Sequence, residues 1–328
     1  MVDHRALSSA LEALEAPRRS AIEAGRHGGD LEWDWIFSPQ EWAAGHSILV
    51  CCLSCHRTEP DDLSTPGDPH ALVAPFARRN YYRIAARMMG EVARGIEGSL
   101  GIPRRSLRIF CNSRIPEKPL LAASGLAMIG RNSLAIVPGL GSLFVIAGAV
   151  IPRALPEISP DGPALRDPCG SCMKCIDACP VGAISAAGIV DADQCLQGLA
   201  AAPAVLTPRL METWGNRLYG CQECQSVCPW NRRIVDPCEA VPAKDSPGPS
   251  VSLRTMLSRD PSEIAGLFRG TAMGMSWISK EALLRNALVA AGNSGERALE
   301  PLLKAHVESG TPAVREAALW ALEKLRGA

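Results

Sequence analysis

The chain has 328 residues, of which 47% are hydrophobic and 21% charged, and its 34 Lys and Arg residues balance its 34 Asp and Glu residues. This length suits two or three domains with a sizeable core, and a zero net charge supplies no long-range attraction to nucleic acid, although a local patch of charge still can. The most apolar stretch, residues 134–151, carries one proline and three glycines, which disfavour a membrane-spanning helix. Because the N-terminus also lacks a signal-peptide core, we expect a cytoplasmic protein that does not enter membranes.

The first 160 residues have the pattern of one α/β domain. In chain order, the sequence predicts a helix over 7–24, a buried strand in SILVCCLSC (47–55), a helical stretch over 75–100, a strand at 106–111, a helix at 117–124 and strands at 133–137 and 142–149. In the stretch 75–100, helical spacing places Ile84, Met88, Val92 and Ile96 on one face and the arginines elsewhere. We expect that apolar face to pack against the strands.

Three cysteines in the first predicted strand are weak metal-site candidates. Cys51, Cys52 and Cys55 are followed by His56, but strand alternation sends Cys51 and Cys52 to opposite faces. Packing in the core is therefore the favoured interpretation.

The other cysteines are concentrated, because eight of the thirteen fall between Cys169 and Cys228. Disulfides are disfavoured in the cytosol, so this cluster indicates metal. The first run matches the bacterial ferredoxin spacing C-x2-C-x2-C-x3-C-P, in which the fourth cysteine ligates a second cluster. Pairing the runs crosswise predicts two [4Fe–4S] clusters. One set is Cys169, Cys172, Cys175 and Cys228; the other is Cys179, Cys195, Cys221 and Cys224.

Two other interpretations of the cysteines are possible. Zinc sites usually use two separated C-x2-C pairs, which this compact run does not match. A purely structural cluster remains open, although two neighbouring clusters more often relay electrons. The sequence contains no G-x-G-x-x-G after a predicted strand and no P-loop. Binding of flavin or nicotinamide therefore has no support from a sequence motif.

The last seventy residues predict an all-helical domain. A proline-rich linker, VDPCEAVPAKDSPGPS (235–250), precedes three segments with apolar residues at i, i+3, i+4 and i+7. Short helices separated by GNSG and GTP breaks are typical of HEAT-type repeats. About one and a half repeats are too few to stand alone, so we expect them to pack on the rest of the chain.

Taken in order, these segments resemble the epoxyqueuosine reductase family. The similarity is carried by 76–82 (FARRNYY), 116–119 (PEKP), 124–133 (SGLAMIGRNS), 141–142 (GS), 215–231 (GNRLYGCQECQSVCPWN), and LRNA followed by GNSG in the helical tail. The resemblance implies an α/β, nitroreductase-like cobalamin-binding domain over 1–160, a ferredoxin-like double-cluster module over 161–240 and HEAT-like helices over 250–328. It also implies two [4Fe–4S] clusters and cobalamin as cofactors.

The resemblance implies reduction of epoxyqueuosine to queuosine at the wobble position of tRNA. An external low-potential donor would reduce the clusters, the clusters would reduce the cobalt, and an acid would protonate the epoxide oxygen. The enzyme would act as a monomer on a base splayed out of the anticodon loop. The matched segments place the corrinoid near Arg131, Asn132, Ser133, Asn216 and Tyr219. Phosphate contacts are expected from Arg78, Arg79, Arg83 and Arg285.

One departure from the family pattern concerns the proton donor. Where the family has an aspartate after the strand, this chain has Asn112, and an amide is not a general acid at physiological pH. Cys111, Tyr81, Tyr82 or water would then protonate the oxygen, or the enzyme would be a corrinoid reductase of another substrate, such as a small molecule. A third hypothesis is a non-catalytic electron carrier or tRNA-binding scaffold, which would bind no corrinoid.

Overall fold

The computed structural model describes residues 45–56, 62–113, 115–156, 167–186, 188–233 and 246–327. The predicted helix over 7–24 and the linker as far as residue 245 lie outside these ranges. Among the described residues, no helix is both long and apolar enough to cross a bilayer.

The strands and helices follow the predicted order through most of the chain. The strands are β1 (Ser47–Ser54), β2 (His70–Val73), β3 (Arg108–Cys111), β4 (Met128–Ile129), β5 (Ala135–Ile136), β6 (Phe144–Ile151), β7 (Arg217–Tyr219) and β8 (Ser250–Ser252). The helices are α1 (Tyr81–Leu100), α2 (Glu117–Ala123), α3 (Lys174–Asp177), α4 (Leu196–Leu199), α5 (Pro208–Trp214), α6 (Glu223–Ser226), α7 (Leu253–Leu257), α8 (Pro261–Leu267), α9 (Lys280–Ser294), α10 (Glu300–Ser309) and α11 (Pro312–Gly327).

The first sheet is antiparallel, with β6 between β1 and β3. Alternation along β1 divides its two central thiols between faces: Cys51 packs on the side of Met89, and Cys52 on the side of Leu121. Cys51 Sγ lies 3.4 Å from Met89 Sδ, and Cys55 is fully buried. The three cysteines therefore belong to the apolar layers around the sheet, as the sequence predicts.

Helix α1 packs on this sheet with a different face from the predicted one. Its buried row contains Tyr81, Ala85, Met89 and Ala93, whereas Met88 and Val92, in the predicted row, are exposed. The predicted row was wrong because β6 presents small residues to the helix, Ala147 and Ala149 among them, and the alanines of α1 allow close approach to that surface.

A second small sheet joins segments that are far apart in the chain. Its strand order is β7-β2-β8, and β2 pairs in parallel with β7 and antiparallel with β8. Each strand comes from a different one of the three predicted domains: β2 from the first, β7 from the cysteine-rich segment and β8 from the C-terminal part. These strands have only three or four residues each, too few for a period that the sequence could reveal.

The C-terminal region consists of helices around a buried α9, as the sequence predicts. Eleven consecutive residues of α9 are buried, because it is covered by α11, α7 and the small sheet. At Gly292 a Cβ atom would lie 2.8 Å from the Ala321 Cα, so glycine permits the close contact of α9 with α11.

Candidate functional site

The two cysteine runs fold as matched halves. Each contains C-x2-C-x3-C-P, at 172–180 and at 221–229, and in each a four-residue helix begins two residues after the first cysteine of that pattern. These helices, α3 and α6, pack against each other. The repeat therefore brings the two cysteine runs together through one pair of short helices.

The eight cysteines divide crosswise between two cavities. The first cavity, of about 300 Å³, is lined by Cys169, Cys172, Cys175 and Cys228. The second, of about 510 Å³, is lined by Cys179, Cys195, Cys221 and Cys224. The last cysteine of each run thus faces the cavity of the other run, which agrees with the two ligand sets inferred from the spacing.

The donor sets have the chemistry of cluster sites. Within the described ranges, no three His, Cys, Asp or Glu side chains converge as the ligands of one metal ion do; the cysteines surround cavities instead. Burial, together with the neighbouring Cys221 and Cys195, raises the pKa of the Cys224 thiol to about 12. Forming thiolates here requires a compensating cation, and iron supplies that charge as it displaces the thiol protons.

Arg131 lies against the first cysteine turn. Its backbone N–H donates to Cys169 Sγ at 3.3 Å, and its guanidinium donates to the Gly170 carbonyl at 2.6 Å and approaches Met173 Sδ at 3.3 Å. Arg131 lines the first cavity and is absent from the lining of the second. Arg131 therefore holds the first cysteine set through its backbone N–H and its terminal guanidinium nitrogens, and its contact with a corrinoid stays a prediction.

Removing the Arg131 charge is expected to lower the reduction potential of a cluster in the first cavity. Arg131→Gln should shift it by on the order of 50 mV, about 1 kcal/mol for one electron, because a nearby cation stabilises the reduced cluster. Arg131→Lys keeps the charge and should shift it less. A redox titration followed by electron paramagnetic resonance measures both, and equal potentials in the three proteins would contradict the expectation.

Asn132 and Ser133 lie where a cofactor next to the second cysteine set would contact them. Asn132 is buried and lines both cavities, and its side chain hydrogen bonds to Cys224, which lowers the pKa of that thiol. Ser133 lines the second cavity in the left-handed region, with φ +58°, and its carbonyl accepts from Lys118 Nζ at 2.8 Å. This turn therefore forms the partition between the two cavities.

The second cavity extends from the cysteines to the first sheet. Its far wall includes Phe76 and Tyr82, the start of β6 (Phe144–Ile151), Asn112 and Glu117. A volume of this size, mostly apolar with a few polar groups, is typical of cofactor pockets, which span about 300–1,000 Å³. The residues present therefore fit a prosthetic group beside a cluster.

A tight contact fixes the two walls of this cavity to each other. The Asn231 side chain, just after the second cysteine run, accepts from the Ser142 backbone N–H at 2.6 Å and donates to the Gln225 carbonyl at 2.8 Å. Gly141 has φ +71°, and a Cβ there would lie 2.2 Å from Asn231 Oδ1. Glycine is required at this position because the turn before β6 rests directly on the cysteine module.

Several predicted site residues lie away from the cavity. Tyr81 is 1% exposed in the core between α1 and the sheet, so its prediction as a proton donor was wrong; the next residue, Tyr82, lines the cavity because successive helical side chains point about 100° apart. Cys111 adjoins this wall without lining the cavity, and its pKa rises to about 12, chiefly through burial.

The two predicted cofactor contacts before Cys221 also lie outside both cavity linings. The Asn216 carbonyl accepts from the Leu72 N–H at 2.7 Å in the small sheet. Tyr219 is buried with its ring edge against Phe76. Neither residue lines a cavity in the described part of the chain, and their contacts with a corrinoid stay predictions.

Three of the four arginines predicted to hold phosphates are buried. Arg285 is 0% exposed, and its guanidinium donates to the carbonyls of Leu199, Ala202 and Ala204. Arg78 and Arg79 are also buried, and Arg78 Nε donates to the Val73 carbonyl at 2.9 Å. Arg83 is exposed on α1. The prediction was wrong for the buried three, since a phosphate cannot reach them.

Sequence reasoning missed Glu117 as a site residue. It is the first residue of α2, lines the second cavity and shares that wall with Asn112. Burial raises the pKa of its carboxyl to about 7, while the backbone N–H groups of Ser113 and Asn112 oppose the rise. The sequence did contain one signal for it, since Glu117 is an acid five residues after Asn112, the position where the family pattern has an acid.

Comparison with known proteins gives three kinds of similarity. The family model "4Fe-4S double cluster binding domain" matches residues 168–231, which include all eight cysteines. Epoxyqueuosine reductase from Alicycliphilus denitrificans is 31% identical over 265 residues, covering 77% of this chain and 71% of the relative. The one from Bacillus anthracis is 33% identical over 217 residues, covering 65% of this chain and 55% of the relative.

The solved structures show the same fold. A crystal structure of epoxyqueuosine reductase with an epoxyqueuosine-modified tRNA-Tyr stem loop matches with a TM-score of 0.77 and 23% identity, covering 96% of this chain and 83% of that chain. The aligned part of this chain spans only about half the length of the Bacillus anthracis relative, at 55%.

Proposed function

Because the chain belongs to the epoxyqueuosine reductase family, we propose that it reduces epoxyqueuosine to queuosine at the wobble position of tRNA. The proposal is carried by the crosswise division of eight cysteines between two cavities, the second of which continues to a mostly apolar wall. This arrangement suits stepwise passage of electrons from the module toward a substrate in the second cavity.

The proposed cofactors are two [4Fe–4S] clusters and cobalamin. Cys169, Cys172, Cys175 and Cys228 would hold one cluster, and Cys179, Cys195, Cys221 and Cys224 the other. Asn132, Ser133 and the apolar wall of the second cavity would hold cobalamin, which supplies low-potential cobalt chemistry at the epoxide when bound. The protein's own contribution is to position these groups and to control protons.

The side chains of the second cavity have distinct tasks in this proposal. Phe76, Tyr82 and the start of β6 exclude water from the reacting centre. Conversion of the epoxide to an alkene takes two electrons and two protons and releases water, so the cavity must also deliver protons at the oxygen. Exposed Arg83 and Arg87 on α1 would contact tRNA phosphates, which position the substrate without specifying its sequence.

The finer architecture is part of the proposal. We assign a nitroreductase-like domain to 1–160, the double-cluster module to 161–240 and HEAT-like helices to 250–328. The protein would work as a cytoplasmic monomer, since a reducing compartment keeps the cluster thiols available. An external low-potential one-electron donor would supply the clusters.

The proposed activity is tested with protein reconstituted anaerobically with iron, sulfide and cobalamin. Incubation with epoxyqueuosine-containing tRNA and reduced viologen should yield queuosine, detected by mass spectrometry of the nucleosides as the loss of one oxygen atom. Omitting cobalamin is the control and should give no product. Absence of queuosine despite full clusters and bound cobalamin would reject this substrate.

A further inference from the structure

The second cavity needs a proton donor that the position of Asn112 does not supply. An amide carries no acidic proton at physiological pH. Besides the second cysteine set, four ionisable side chains line or adjoin this cavity in the described part of the chain: Tyr82, Cys111, Glu117 and Lys118. A fifth, Glu223, lines the cysteine side and forms an ion pair with Arg217.

Glu117 is held in a defined position on the wall opposite the cysteines. The Ser113 N–H donates to Glu117 Oε1 at 3.1 Å, and the Asn112 N–H also donates to the carboxylate. Asn112 adopts φ +49°, in the left-handed region, and this turn directs both amides toward the carboxyl. The carboxyl is therefore fixed at the place in the loop where the Asn112 side chain also meets the cavity.

The surroundings of Glu117 favour a proton that can be given and taken back near neutral pH. Burial raises its pKa to about 7. The titratable groups facing it are Cys111 from β3 and Tyr82 from α1; Lys118 follows it on α2, and Glu223 and the four cysteines lie across the cavity. A general acid works best when its pKa is near the working pH.

The alternative donors are less suitable. Lys118 directs its Nζ to the Ser133 carbonyl at 2.8 Å, and Cys111 and Tyr82 are weaker acids. Burial raises the pKa of the Cys111 thiol to about 12, and it raises the pKa of the Tyr82 phenol well above its ordinary value. At neutral pH each holds its proton far more tightly than Glu117 does. Acidity and position in the cavity therefore select the same residue.

We propose that Glu117 is the catalytic acid of the second cavity and protonates the epoxide oxygen as its first C–O bond breaks, a role that rests on the proposed function. Both C–O bonds break, a C=C bond forms, and the oxygen leaves as water. The two electrons come from the external one-electron donor through the clusters. Glu117 delivers the first proton and is reprotonated from solvent before water leaves.

The test compares wild-type protein with Glu117→Gln, which keeps the size and the hydrogen-bond acceptor but not the acidic proton. In single-turnover assays with saturating tRNA, Glu117→Gln should be slower by about 10²–10⁴-fold, the usual contribution of a general acid. Iron content, cobalamin uptake and tRNA affinity should remain at wild-type values. Glu316→Gln, at an exposed position of α11, is the matched control and should behave as wild type.

The pH profile separates proton donation from a structural role. A general acid acts in its protonated form, so the wild-type rate should fall as pH rises through about 7, and Glu117→Gln should lack this limb. Infrared difference spectra of cofactor-free protein, with Glu117→Gln as the reference, should show a carboxyl titrating near the same pH. A carboxyl that is already ionised at pH 5 would overturn the proposal.

If Glu117→Gln binds less iron, a rescue variant still separates the loss of an acid from the loss of a cluster. Asn112→Asp places an acid on the same turn, and Asn112→Asp/Glu117→Gln should recover at least about tenfold of the lost rate. Wild-type turnover by Glu117→Gln, or an unchanged pH limb, overturns the role of Glu117. If wild-type protein itself forms no queuosine, the proposed function fails instead, and the infrared titration still decides whether Glu117 is an acid of the required strength.

Discussion

Replacing Cys228 by alanine is expected to empty the first cavity and to leave the cluster in the second. Although Cys228 belongs to the second run, it lines the first cavity with Cys169, Cys172 and Cys175. Iron content should therefore fall from about eight to about four atoms, four per cubane. Turnover with an external donor should become undetectable, since the entry point of the electrons is lost.

The companion variant Cys179→Ala should have the opposite effect and empty the second cavity. Arg131 identifies which cluster remains, because it contacts only the first cysteine set. Adding Arg131→Gln should shift the potential of the remaining cluster in the Cys179→Ala protein and leave it unchanged in the Cys228→Ala protein. The reverse result would show that each run holds its own cluster.

The matched control for both variants is Cys52→Ala. This thiol lies among apolar side chains on one face of the first sheet, and burial raises its pKa to about 12. The variant should keep its full iron content. Loss of half the iron in Cys52→Ala would undermine the assignment of the ligand sets.

Replacing Arg285 by alanine is expected to lower the free energy of unfolding by about 2–3 kcal/mol, because a fully buried side chain and its hydrogen bonds are lost. Its guanidinium hydrogen bonds to the carbonyls of Leu199, Ala202 and Ala204 and lies 5.3 Å from the Trp214 ring centre. Without it, three part-buried carbonyls lose their donor, two of them in the exposed residues Ala202 and Ala204. The midpoint of denaturant-induced unfolding measures the change.

The same substitution should also loosen the second cysteine set. Arg285 holds the segment that follows α4, and Cys195 immediately precedes that helix. Iron should therefore be lost to a chelator faster than from wild-type protein. Arg315→Ala, at an exposed position of α11, is the control. It should change the free energy of unfolding by no more than about 0.5 kcal/mol and should lose iron at the wild-type rate. Wild-type stability in Arg285→Ala would contradict this interpretation.

The cysteine sets could be predicted from the sequence because short spacers determine local turns. C-x2-C-x3-C-P gives each run its own short helix, and the same local geometry sends the last cysteine away. The first sheet and α2 were predictable for a similar reason, because their apolar patterns match the periods of strand and helix. These features could be predicted because they depend on residues that are close together in the sequence.

The remaining features depend on packing between distant segments. The apolar period of α1 predicted the row with Met88, whereas the small side chains of β6 select the row with Tyr81 and leave Tyr82 facing the cavity. Arg285 has the residue type of a phosphate ligand but lies in the core, where carbonyls are its partners. Neither outcome is encoded within a few residues of the position concerned.

The small sheet determines when the cofactors can be installed during synthesis. Leu72 pairs with Arg217 and also with Ser250. A nascent chain that has just left the ribosome with its first cysteine run therefore lacks both flanking strands, one thiol of the first set and three of the second. Iron delivery must therefore follow release of nearly the whole polypeptide. A truncated chain that ends before β8 would keep all eight cysteines but would lack the strand that pairs antiparallel with β2.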